Sequence, residues 1–325
     1  MKKKDNPGFP GGKVASNLAS SRRIQWRQTG ARLLHTPVAR GLIKTAVAFF
    51  GGFYFSRTLL FGRFAPLGPA VTAAVPYGQL WAAVLGVAAG CLMPSGMEVP
   101  VRYIAAMLAC AAIRWALHEW DHVSDHPLFA PMAAFLPLLA TGGVVVMSQG
   151  TIGSVAALYV AESLFGAGGA FFFARFAALL RRGEGIQDFS PQDLCTVTFT
   201  LGLALSALSS VAWWGLHPAR AAAVLFILYA ARCGGAAAGA VCGVGIGAVF
   251  SLSVVSGSSY LAGACALGGL MAGVLAPMGR LVLAAGFAVS AAIVVMQAGV
   301  LNPDYSFLLE SAIALSLIHI SEPTR

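Results

Sequence analysis

The chain has 325 residues, of which 58% are hydrophobic and only 10% charged. A soluble domain carries about 25% charged residues, so this composition excludes an ordinary globular surface and leaves room for about ten membrane spans and no sizeable soluble domain. The formal net charge of +9 is nearly all accounted for by the first 44 residues, so no nucleic-acid partner is expected.

Residues 1–44 hold ten of the 21 Lys and Arg residues against a single acid, Asp5. A basic flank beside the first span predicts a cytoplasmic N-terminus. This tail, residues 1–40, is far longer than the charged region that precedes a secretory signal's apolar core, and no cleavage is expected. Within it, residues 24–34 have the make-up of a short basic helix lying on anionic lipid, with Trp26 at the interface. A disordered, topology-setting tail and an organelle transit peptide are the other readings.

Apolar segments follow almost without interruption, with spans read at 42–61, 79–93, 100–118, 129–148, 152–175, 194–214, 218–232, 234–253, 259–276 and 279–298. The piece 66–77 is apolar but short and holds Pro66, Pro69 and Pro76. It reads as a re-entrant turn or an eleventh, kinked crossing. Arg181 and Arg182 place the end of the preceding span on the inside, which requires that piece to cross.

The longest polar connection in the membrane region is 181–193. It separates two half-bundles, about 41–180 and 194–300. Ser190, with Pro191 next and Asp193 three residues on, has the pattern of a helix start. Beyond it, Gly235, Gly239, Gly243 and Gly247 recur every fourth residue. In water each interior Gly costs a helix about 1 kcal/mol relative to Ala. In a bilayer the helix is enforced, and a Gly stripe lets a second helix approach to backbone contact. The ladder therefore predicts a helix-packing seam. A phosphate-cradling reading of Gly243, Gly245 and Gly247 lacks the preceding strand and the later acid that such a loop needs.

Charged groups inside spans are the default functional candidates of a membrane protein. Glu162 stands alone in the apolar run 151–173, and Arg102 and Arg114, both in one span, are its possible partners. The pair reads as an interhelical ion pair or as a proton, ion or substrate site. His118, His122 and His126 form the one cluster of metal-ligand types, and they share a face if the segment is helical. Pro127 and the position between two spans fit an ordinary wet loop equally well. Cys91, Cys110, Cys195, Cys233, Cys242 and Cys265 have neither metal nor redox spacing and read as small apolar residues. No nucleophile and base are paired in a known motif, so the chain does not look like a complete enzyme, and no catalytic or cofactor-binding residue is assigned.

Several motifs resemble the membrane region of stage II sporulation protein E. They are G-G-F-Y-F-S-R-T-L-L-F-G-R-F-A-P-L-G-P-A at 51–70, V-R-Y-I-A-A at 101–106, the S-P-Q-D-L start at Ser190, the Gly ladder, and G-G-L-M-A-G-V-L-A-P-M-G-R at 268–280. The resemblance covers roughly residues 41–297. It implies an all-α, polytopic transmembrane bundle of about ten spans. It also implies a following cytoplasmic region for self-association and contact with the division protein FtsZ, then a manganese-dependent PP2C-type serine/threonine phosphatase domain. That domain would act on an anti-anti-sigma factor at the sporulation septum and so activate sigma F. This chain would supply the anchoring, septal localisation and oligomerisation part, with the lipid bilayer and other copies of itself as partners. The alternative is a small-solute or ion permease using Glu162 with Arg102 or Arg114. Residues 301–314 read as the start of a downstream segment. Residues 315–325, L-S-L-I-H-I-S-E-P-T-R, resemble a translated sequencing adapter and are expected to be foreign.

Overall fold

The computed structural model describes residues 37–60, 62–93, 99–124, 126–150, 153–182, 189–208, 216–253, 260–298 and 306–320. The chain divides into two units, Met1–Val47 and Ala48–Arg325. Of the first unit only 37–47 is described. It is helical, and Thr45 donates to the Gly41 carbonyl at 3.0 Å. The basic tail up to residue 36, including 24–34, lies outside the described residues.

The described residues are all-α, with one isolated bridge between Leu60 and Phe64. In chain order the helices are α1 (Pro37–Ser56), α2 (Leu67–Ala74), α3 (Leu80–Leu92), α4 (Pro100–Ala116), α5 (Asp121–Ser124), α6 (Phe129–Gln149), α7 (Ser154–Arg182), α8 (Pro191–Ala207), α9 (Pro218–Ser253), α10 (Tyr260–Leu275), α11 (Arg280–Ala298) and α12 (Ser306–Ile320). Local chemistry sets their ends. Pro100 opens α4, where its missing N–H costs nothing. Gly150, at φ 64°, closes α6 in a left-handed cap. Ser190 and Asp193 form a reciprocal capping box at the start of α8, with Pro191 at its first turn.

Among the described residues five helical stretches are long and apolar enough to cross a membrane: Phe129–Ser148, Val155–Arg182, Pro218–Ser253, Tyr260–Met278 and Arg280–Ala298. The ten spans read from the sequence are not upheld. Hydropathy ran across helix ends that the backbone places earlier. Helix α3 stops after 13 residues, short of a crossing, and α4 and α8 have 17 each, at the lower limit of about 17 for one. The segments read as 218–232 and 234–253 are the two arms of α9, which meet at a kink.

That element is bent back on itself. Gly235 has φ 66° and ψ −153° in the middle of α9, a region that side chains other than glycine essentially do not occupy. Ala231 Cβ lies 2.9 Å from where Gly239 would carry a Cβ, although a straight helix separates residues eight apart by about 12 Å. Arms 218–234 and 236–253 therefore pack against each other across the Gly235 turn.

The short proline-rich piece is α2, whose eight residues span only about 12 Å. Seven of them, Leu67 to Ala73, are buried. Irregular backbone at membrane depth is tolerated where protein covers it, and α2 meets that condition. Its role follows from its neighbours. A Cβ at Gly86 of α3 would collide with Phe49 of α1, and one at Gly90 with Phe53 and Ser56, so α1 and α3 run in the same direction. Residues 57–79 must therefore bring the chain back to the side from which α3 sets out, partly as irregular backbone and partly as α2.

Three apolar cores result. One gathers Ile227, Leu228, Ile246, Phe250, Leu261 and Phe287 from α9 to α11, and α12 joins it through Phe307 and Ala314. A second is built on Val87, Tyr103, Met107 and Leu138. The third, around Leu67, Phe173, Leu203 and Val249, joins α2 and α7 to α8 and α9. Outside them, large apolar side chains such as Val144, Met147, Leu164, Val289 and Met296 stand exposed. A surface like that suits lipid rather than water. Helix α12 runs unbroken past residue 315 to Ile320, through the stretch read as adapter-derived, and 321–325 lie outside the described residues.

Candidate functional site

The deepest charge is Glu162, on α7, at 1% exposure. Arg102, in the first turn of α4, reaches it with Nη2 to Oε2 at 2.5 Å. Tyr103, the next residue, donates its hydroxyl to Oε1 at 2.7 Å. Both carboxylate oxygens are thus engaged, one by an opposite charge and one by a neutral donor, which is the condition for keeping a carboxylate ionised in apolar surroundings. The Arg102 guanidinium also sits over the Tyr103 and Tyr159 rings, at 4.9 and 4.6 Å from their centroids.

Arg114 is three turns further along α4 and does not meet Glu162. Its Nη1 donates to the Thr72 carbonyl at 2.9 Å and to the Val75 carbonyl. Those are the last carbonyls of α2, and a cation there satisfies orphan acceptors and opposes the helix dipole.

Glu162 is the one deep acid that stands out in the sequence. The structure adds Glu310 of α12, also 1% exposed. Its Oε1 accepts from the His217 backbone N–H at 2.7 Å, and its Oε2 faces Arg220 Nη1 at 3.8 Å. Placing 301–314 in a downstream segment hid this pair. Arg220, two residues after Pro218 in an apolar run, was the available signal.

Of the ladder, Gly239, Gly243 and Gly247 face α10. A Cβ at Gly239 would collide with the Gly269 carbonyl, one at Gly243 with that of Cys265, and one at Gly247 would lie 2.9 Å from Cys265 Cβ. Each step of four along α9 matches four back along α10, so the helices are antiparallel at backbone contact. Gly235 differs in kind: it is the turn of α9, and its carbonyl meets Gly273.

The three histidines do not share a helix face. Helix α4 ends at Ala116 and α5 is only Asp121–Ser124, so the premise of one continuous helix fails. His118 stacks on Tyr77 with centroids 3.5 Å apart, while His126 Nδ1 accepts from the Leu128 N–H at 3.2 Å. Among the described residues no three His, Cys, Asp or Glu side chains converge. Nothing in them fits the manganese implied by the family resemblance. Four of the free cysteines, Cys91, Cys110, Cys242 and Cys265, are buried, Cys195 is half-buried and Cys233 is exposed.

At the start of α8, Asp193 accepts from the Ser190 hydroxyl at 2.6 Å and from its backbone N–H at 3.2 Å, and Arg175 lies 3.4 Å away. The Ser190 hydroxyl first, then its backbone N–H and Arg175, hold this carboxyl below its ordinary range against the opposing effect of desolvation.

Compared with known proteins, residues 10–324 match the family model described as SpoIIE, N-terminal domain. No curated protein and no solved structure matches.

Proposed function

Since the chain belongs to the SpoIIE N-terminal domain family and is a membrane protein with apolar, lipid-suited helices, we propose that it is the anchor, septal localisation and self-association region of a sporulation serine phosphatase. In this reading the catalytic domain, its manganese, FtsZ contact and the anti-anti-sigma factor substrate belong to other regions of the full-length protein. Activation of sigma F would follow from where this bundle holds that domain. The basic tail sets the N-terminus in the cytoplasm. In this reading, with α1 and α3 running in the same direction, Tyr77, Arg181 and Arg182 would lie on the cytoplasmic side as well.

The observation that carries the anchor over a permease is the closure of the Arg102–Glu162–Tyr103 group. A relay carboxylate needs a free oxygen or a route to water, and here both oxygens are taken. Glu310 is a second deep acid, yet it too faces an arginine and a backbone donor. The test is to express the chain fused to a fluorescent protein in sporulating cells and to measure its mass in detergent. Concentration at the septum and a multimeric mass are expected. Even labelling of the whole membrane by a monomer would overturn the proposal, and proteoliposome uptake lost in Glu162→Gln would favour the permease.

A further inference from the structure

At one end of the helices lies an open cleft of about 680 Å³, walled by the ends of α2, α4 and α7 and the starts of α6 and α8. Among the described residues its charged lining consists of Arg114, Arg175, Arg181 and Arg182 against a single acid, Asp193. Four cations and one anion leave three positive charges, and Asp193 is already engaged by Ser190 and Arg175. Arg114 is tied to the α2 carbonyls, so it gives the floor of the cleft a held, directional charge. Arg181 and Arg182 are exposed on the last turn of α7, where they can turn toward an occupant. The Tyr77–His118 stack, Phe129 and Phe171 supply flat apolar walls. The volume falls in the range of small-molecule sites.

We propose that this cleft binds a phosphate group, carried either by the headgroup of an acidic phospholipid or by a soluble phosphorylated molecule. Guanidinium forks match phosphate oxygens with paired, charge-assisted hydrogen bonds. A basic pocket between transmembrane helices at the headgroup level is where an acidic lipid finds them. Neither Glu162 nor Arg102 lines the cleft, so the site is separate from the buried ion pair.

The test uses the whole chain in nanodiscs. In discs containing phosphatidylglycerol, native mass spectrometry should show that lipid retained over phosphatidylcholine. Replacing both rim residues, Arg181→Gln with Arg182→Gln, should lower retention about tenfold or more, the scale of two near-surface basic residues. The Lys pair Arg181→Lys with Arg182→Lys keeps the charge but not the fork and should retain more than the Gln pair and less than the parent. Replacing Lys2, Lys3 and Lys4 by Gln, a loss of charge elsewhere, should leave it unchanged. In pure phosphatidylcholine discs, inorganic pyrophosphate supplies the second arm: a saturable rise in melting temperature that is lost with the rim Gln pair assigns the site to a soluble phosphate. If neither phosphatidylglycerol nor pyrophosphate responds to the rim pair, or if the tail variant loses as much as the rim variant, the proposal is wrong. Unchanged melting of the rim variant in phosphatidylcholine confirms that it is folded.

Discussion

Removing one partner of the Arg102–Glu162 pair should be far more damaging than removing both. Arg102 is 6% exposed and Glu162 1%, so neither charge can recover hydration when its partner goes. Breaking such a pair typically costs about 3–5 kcal/mol, whereas replacing both members by apolar groups of similar size is often neutral or stabilising. Glu162→Gln retains the shape and an acceptor for Tyr103 but leaves the Arg102 charge uncompensated, and it should lower the unfolding free energy by that amount, a factor of more than a hundred in the equilibrium. Arg102→Met strands the carboxylate and should do the same. The double variant, Arg102→Met with Glu162→Leu, should recover most of the loss. The measurement is equilibrium unfolding in mixed micelles, with the parent, Arg102→Met, Glu162→Leu and the double variant forming one double-mutant cycle and Glu162→Gln measured beside them. Single variants that melt like the parent, or a coupling within about 0.5 kcal/mol of zero, would show that the pair is not closed as described.

The other expectations concern helix contacts and ends. Gly239→Leu should separate α9 from α10, because even a Cβ there meets the Gly269 carbonyl; a loss of about 1–3 kcal/mol or more is expected, read as early melting or an altered size in detergent. Gly235→Ala adds nothing that collides, yet it should cost about 1–3 kcal/mol from backbone strain alone, so equal stability of this variant would argue against the turn. Asp193 has a native pKa below that of the unfolded chain, so its contribution to stability is full above the unfolded value, about 3.9, and is lost as pH falls through the lower native one. Ser190→Ala should therefore lower the melting temperature at neutral pH, with the difference narrowing in strong acid to the part owed to the lost N-cap bond to the Asp193 N–H. Finally, α8 runs parallel to arm 236–253, since Thr198 meets Cys242 and a Cβ at Gly202 would meet Ile246. The Gly235 turn then lies on the side of Arg181, and a membrane-impermeant maleimide should label exposed Cys233 from that side and not from the other.

Elements bounded by strong local chemistry were the legible ones. Ser190, Pro191 and Asp193 predict the start of α8 because a capping box is made within four residues. Glu162 stands out because an acid in an apolar run has few places to be. Its partner was left open between Arg102 and Arg114, since the choice depends on which face of α4 meets α7 and which meets the end of α2. The ladder spacing points to a contact face but cannot separate Gly235, the turn, from the three that pack, because positive φ leaves no trace in a four-residue repeat. Span counting overshot because hydropathy senses burial and not length: α3 is as apolar as a crossing with only 13 residues, and 66–77, left open between a re-entrant turn and a crossing, holds the buried eight-residue α2.

The two buried Arg–Glu pairs sit in different parts of the chain. Arg102 and Glu162 join α4 to α7, beside the core of Tyr103 and Leu138, while Arg220 and Glu310 join α9 to α12, at the core of Ile227 and Phe307. Each ties together helices separated by long stretches of sequence, where lipid-facing apolar contacts alone discriminate poorly between one partner helix and another. A charge pair can be satisfied in only one register, because sliding α7 by a turn along α4 would leave two bare charges in hydrocarbon. The pairs therefore select an arrangement more than they deepen it, as buried polar groups do when they set the register of a coiled coil. A scaffold that must present an attached domain in one orientation has need of such selection, and a permease that must alternate between two arrangements would be held back by it.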